Sequence, residues 1–164
     1  MPAVLNPSTG VGDTREGSTH APAMRVTMLD LASMVPYYTG HLCAALRTVA
    51  GVQVTLASVT YQYDPEFFHR AGLRIHPGAL DVTSRLHRTP APLRRGLKLF
   101  EYCVNLVAQL LRSVRSRPDI LHVQFLPLMP YLPVERWFLK LARRLGTKIV
   151  YTVHNVLPQD SGDR

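Results

Sequence analysis

Two histidines carry the clearest chemical signal in the chain. His122 lies within the apolar run 120–124, and His154 directly follows the β-branched run 147–153. Side chains at the C-terminal ends of neighbouring parallel strands converge on one cleft. A neutral imidazole there can take up a proton or hydrogen-bond a sugar hydroxyl near pH 7. The plainer reading, a histidine satisfied by backbone groups at a strand end, stays open for each. The other histidines, His20, His41, His69, His76 and His87, read as loop or surface residues. None pairs with a second His or Cys at metal-ligand spacing, so no zinc or other metal site is expected. Cys43 and Cys103 fall inside apolar helical patterns and are expected to pack in the core. No G-x-S-x-G marks a nucleophilic serine.

The loop after the first strand-like run, 32–40, holds a single glycine, Gly40. It has no G-x-G-x-x-G, and the second strand does not end in an acid that would hold a ribose. A dinucleotide-binding role is therefore disfavoured, and no P-loop motif is present. What remains is a Thr39-Gly40 step opening a helix. Its free N–H groups are candidates to meet an anion such as phosphate; alternatively Thr39 simply caps the helix.

These residues need a scaffold, and the pattern supplies one. Strands are expected at 25–31, 52–60, 120–124 and 147–153, with a short one at 73–76, from their apolar, β-branched runs. A helix is expected at 41–50, with one or two helical turns at 64–70. Residues 97–114 form a strongly apolar helix with a narrow polar stripe of Glu101, Asn105, Gln109 and Arg112. A further helix opens on Pro133, with Val134, Trp137, Phe138, Leu141 and Leu145 as its buried face and Gly146 as its end. Alternating apolar strands and helices predict an α/β fold: one Rossmann-like, doubly wound parallel sheet covered on both faces. Residues 1–23, rich in Pro, Gly, Ser and Thr, read as a disordered tail. The fold is expected to begin at Met24, a candidate initiator.

The chain has 164 residues, enough for one domain. Its formal net charge of +8 asks for an anionic partner. Two cysteines exclude a disulfide scaffold, and no apolar run reaches the roughly 18–20 residues that span a bilayer. The expected location is the cytoplasm. Between Arg85 and Arg117 stand eight Lys or Arg residues and one acid, Glu101. Beside the apolar 97–114 helix, this arrangement suits docking on an anionic membrane surface, with Arg94, Arg95 and Lys98 near the headgroups. A peripheral position on the inner face of the membrane would follow. A helix buried between the sheet and a neighbour, its ends solvated by bases, is the competing reading. Nucleic acid is not expected as a partner, because the bases lack interleaved aromatics and no recognition motif appears.

The run 121–127, "LHVQFLP", followed by a Trp-containing helix and "GTKIVYTVHNVLPQD", resembles the N-terminal half of family-4 glycosyltransferases of the GT-B fold. The opening "MRVTMLDLASMVPYYTGHLCAAL" is similar to that family's first strand, loop and helix. The resemblance covers residues 24–164. It implies an acceptor-side Rossmann-like domain that faces a second, donor-binding domain across the active site. Transfer from the nucleotide sugar is then expected without a metal or other cofactor, to a glycan or lipid-linked acceptor. His122 would contact the transferred sugar, His154 would line the acceptor side, Gly40 would lie near the donor phosphates and Asn155 would shape the loop. Two positions depart from the pattern. Tyr38-Thr39-Gly40 stands where many members have two adjacent glycines, and Gln124 where many have a second histidine. One domain is half of what the resemblance calls for. The chain therefore reads as the acceptor half of a truncated or split enzyme, inactive alone. The alternative is a non-catalytic membrane- or acceptor-binding module that recruits a separate donor-binding subunit.

Overall fold

A computed structural model describes residues 23–154 other than 62, 78–79, 84–85 and 87–89. The expected tail, save Ala23, and Asn155 lie outside the described residues.

Five strands form one all-parallel sheet: β1 (Met24–Asp30), β2 (Val52–Ser58), β3 (Ile75–Pro77), β4 (Ile120–Val123) and β5 (Lys148–Tyr151). Their spatial order is β3-β2-β1-β4-β5. Four helices make the crossovers: α1 (Pro36–Arg47), α2 (Phe67–Arg70), α3 (Ala91–Ser116) and α4 (Val134–Arg144). The chain first winds outward from β1 to β3, then returns across β1 to β4 and β5. The strand order therefore reverses between β1 and β4, where a doubly wound sheet binds its ligands.

Alternation along each strand feeds two cores. On one face Met28, Leu56 and Leu73 pack with Cys43 of α1 and Phe68 of α2. On the other, Leu29, Ala57, Leu121 and Val123 pack with Tyr102 and Leu106 of α3 and with Phe138 and Ala142 of α4. Each such Leu or Phe contributes roughly 1.5–3 kcal/mol by leaving water. Burial pushes the Cys43 thiol up to about 12, which leaves it inert in the core.

Two expectations are corrected. First, α1 starts at Pro36, well before residue 41, because proline at the first helical position loses no hydrogen bond. Thr39 is therefore inside the helix: its N–H donates to the Val35 carbonyl, and the N-cap is Val35. Neither the free-amide reading nor the cap reading of Thr39 survives. Second, α4 buries Glu135, Phe138 and Ala142, not the Trp137 side; Trp137 is 65% exposed. The Glu135 carboxylate turns that face inward by accepting from the Tyr102 hydroxyl and the Leu128 N–H. As expected, Gly146 follows α4 with φ of 86°, a left-handed turn in which a side chain is strained.

The facing of α3, which periodicity leaves open, is also settled: the helix sits with its polar stripe inward. Glu101, Asn105, Gln109 and Ser113 are buried, while Leu93, Phe100, Val107, Leu111 and Val114 are exposed. Glu101 accepts from the N–H groups of Val82 and Thr83 and from the Thr83 hydroxyl, each at 2.9 Å. Asn105 brackets Leu80, accepting from its N–H and donating to its carbonyl. The stripe thus does for the irregular segment 80–83 what a neighbouring strand would do: it pairs buried backbone groups.

Candidate functional site

The site lies over the C-terminal ends of β1, β2 and β4. Asp30, the last residue of β1, is wholly buried, and its carboxylate accepts from the Met34 N–H at 3.1 Å and the Thr39 hydroxyl at 3.2 Å. Its backbone carbonyl accepts from the Ser58 hydroxyl at 2.9 Å. Asp30 thereby fixes the turn from β1 into α1. Burial raises its carboxyl above the ordinary 3.8, and the Met34 and Thr39 bonds pull it part of the way back. Sequence reasoning missed this residue; an acid closing an otherwise apolar strand was the available signal.

Beyond Asp30 the backbone of Ser33 takes φ of 49°, a conformation that side chains rarely adopt. Ser33 is 8% exposed, and its hydroxyl has no hydrogen-bond partner among the described residues. It lines a cavity of about 380 Å³ with Thr60 and Tyr61 beyond β2 and Arg94, Arg95 and Lys98 in the first turns of α3. Two acids, Asp81 and Glu101, line the same cavity as those three bases. A second groove of about 230 Å³ shares Ala32, Arg95 and Lys98 with the first. Met34, Val59 and Glu101 are shared as well, and the remaining walls, Leu31, Leu99, Tyr102, Pro127 and Leu128, are apolar or aromatic.

The histidines sit at the other side of the switch point. His122 is half-buried in β4, opposite Met28, and its Nε2 lies 2.8 Å from the Thr152 hydroxyl. Burial lowers its pKa below 6.5, so the ring is neutral at pH 7. His154 is exposed and stands edge-on to the Tyr38 ring, 5.1 Å between centroids. It also lies near enough to Asp30 to favour that carboxylate. The two histidines thus reach the same sheet edge, each with its own partner.

Thr39, Gly40 and Gln124 each have packing or hydrogen-bond partners within the chain. Thr39 is buried on Asp30. Gly40 packs under α2, where a Cβ would come within 2.6 Å of the Phe67 ring; its small size serves helix packing. Gln124 is wholly buried, its Nε2 set against the Met28 sulfur and its Oε1 without a partner among the described residues. Among the described residues no three of His, Cys, Asp or Glu gather to hold a metal ion, and no helix is long and apolar enough to cross a membrane.

A family model described as a glycosyl transferase 4-like domain matches residues 35–164. No curated protein and no solved structure matches the chain.

Proposed function

The chain belongs to the glycosyl transferase 4-like family, and from that premise we propose that it forms the acceptor-side domain of a glycosyltransferase. A sugar passes from a nucleotide-sugar donor to a hydroxyl of a glycan or lipid-linked acceptor. A donor-binding domain, on the same polypeptide or a separate subunit, closes over the C-terminal edge of the sheet to complete the site. The observation that supports this reading is that Ser33 and the two cavities lie beyond β1 and β2 while His122 and His154 lie on β4 and past β5, on the two sides of the point where strand order reverses.

His122 supports the sugar in this reading. Its neutral ring is held through Nε2 by Thr152, which leaves Nδ1 to bond a hydroxyl of the transferred sugar. His154 and Tyr38 offer an aromatic edge beside it for the acceptor. The reading gives no metal or other cofactor a role.

An anionic membrane surface completes the proposal. The exposed face of α3, from Leu93 to Val114, runs for about 32 Å at helical rise. Arg94, Arg95 and Lys98 stand at one end of it, and Arg112, Arg115 and Arg117 at the other. Apolar side chains flanked by bases match the boundary of an anionic bilayer.

The test is transfer of radiolabelled sugar from a panel of nucleotide sugars to membrane extract. The expected result is transfer by the enzyme with its donor-binding domain and none by the 164-residue chain alone. Turnover by that chain alone contradicts the requirement for a second domain; no transfer in either form contradicts the enzyme.

A further inference from the structure

The three bases at the head of α3 have a more specific place than a general positive surface. Arg94, Arg95 and Lys98 all line the larger cavity at the C-terminal edge of the sheet. Two acids also line it, but both carboxylates are engaged by the chain. Glu101 holds Val82 and Thr83, and Asp81 accepts from the N–H and hydroxyl of Thr60. Three bases against two acids leave the cavity a formal surplus of one positive charge. Ser33 lines the same cavity, more than nine-tenths buried and with its hydroxyl without a partner among the described residues. A buried donor left unmade is costly, so a ligand oxygen at this point restores what the fold forgoes. Two guanidinium groups, an ammonium and a hydroxyl around one cavity make a receptor for an oxyanion, and arginine forks suit phosphate best.

The adjoining groove adds the second half of the ligand. It shares Arg95 and Lys98 with the cavity, and Leu31, Val59, Pro127 and Leu128 supply apolar walls. Its outer wall is Leu99, 43% exposed, next to the exposed Phe100 on α3. The groove thus leads from the bases toward the apolar face of α3. A free sugar phosphate would leave these walls unused.

We infer that the cavity and groove form one site for an amphiphilic phosphate, a phosphoryl group on an apolar chain, which is the acceptor or its carrier lipid. The phosphoryl oxygens meet Arg94, Arg95, Lys98 and Ser33. The chain lies along the groove and leaves over Leu99. This rests on the acceptor-side reading above but is read by binding alone, without nucleotide sugar, so a failure of transfer and a failure of this site are distinguishable.

The experiment is calorimetric titration of the purified chain with geranyl phosphate, inorganic phosphate and geraniol. Geranyl phosphate should bind at least about tenfold tighter than inorganic phosphate, and geraniol should give no measurable heat. The double variant Arg95→Ser/Lys98→Ser should weaken both phosphates by about tenfold or more with an unchanged melting temperature, both side chains being exposed. Leu99→Ser should weaken geranyl phosphate only. Ser33→Gly relaxes the left-handed backbone, so it should raise the melting temperature while weakening both phosphates. Equal affinity for geranyl phosphate and inorganic phosphate overturns the apolar half. Unchanged phosphate affinity in the double variant, or geraniol binding as well as geranyl phosphate, overturns the anion site.

Discussion

The hydroxyl of Thr39, in α1, donates to the carboxylate of Asp30, at the end of β1, across 3.2 Å, and neither residue touches solvent. The pair ties the first helix to the first strand at the point where strand order reverses. Because burial raises the Asp30 carboxyl, the native state holds that proton to higher pH than the unfolded chain does. The contribution of Asp30 to stability is therefore greatest at low pH, and it is lost as pH rises from 3.8 through the raised value. Urea unfolding over a pH series should show this decline in the wild type and lack it in Asp30→Asn. Identical pH profiles would contradict the assignment. Thr39→Val removes a bond from a buried carboxylate and should cost about 1–3 kcal/mol.

Two helical glycines should respond in opposite directions. At Gly40 of α1 an added Cβ meets the Phe67 ring, which is itself packed edge-on to Tyr37 at 4.6 Å. Gly40→Val should destabilise by about 1–3 kcal/mol through overpacking. At Gly96 of α3 nothing lies within 4 Å. Gly96→Ala should stabilise by about 0.5–1 kcal/mol through helix propensity. Thermal melts of the two variants decide this; shifts of the same sign would mean that α1 does not approach α2 as described.

Much of this fold was legible before the structure, for a physical reason. Strands of a parallel sheet read as apolar, β-branched runs, and each of the five strands lies within a few residues of its expected bounds. The helix at 41–50 was placed late because Pro36 reads equally as a loop residue and as a first helical position. The orientation of α3 was not legible at all. Periodicity locates the stripe of Glu101, Asn105 and Gln109 but does not say which side is inside, and that depends on segment 80–83 needing partners. The placement of His122 in β4 and of His154 just past β5 was legible from the strand pattern. Ser33 was not legible: its significance lies in a backbone angle and an unmade bond.

Segment 80–83 should therefore depend on α3. Glu101→Gln keeps the shape but replaces a doubly accepting carboxylate with one carbonyl oxygen and an amide donor. Hydrogen exchange at the Val82 and Thr83 amides, which donate to Glu101 at 2.9 Å, should accelerate by about tenfold or more. Exchange at Leu80, held by Asn105, should change less. Unchanged protection at Val82 and Thr83 would show that their bonds to Glu101 do not hold the segment.

The outward face of α3 makes a prediction about membranes. Sedimentation with vesicles should show binding to anionic lipid and little to neutral lipid, falling as salt rises. Phe100→Asp/Leu111→Asp places two acids on the exposed face and should abolish binding without lowering the melting temperature, since both side chains are in water. Equal partition into neutral and anionic vesicles would sink the electrostatic docking.

His122 carries the central claim. Its lowered pKa should appear as an NMR ring titration with a midpoint below 6.5, and stability should be lost as pH falls through that midpoint. The most direct measurement is kcat/KM for sugar transfer by the enzyme with its donor-binding domain, comparing His122→Asn with Arg25→Gln. Arg25 pairs with Asp119 at the opposite edge of the sheet and serves as the control. The account predicts a loss of about tenfold to a hundredfold for His122→Asn, the worth of a bond to the reacting sugar, and a change within about twofold for Arg25→Gln. Wild-type transfer by His122→Asn, or an equal loss in Arg25→Gln, would contradict it.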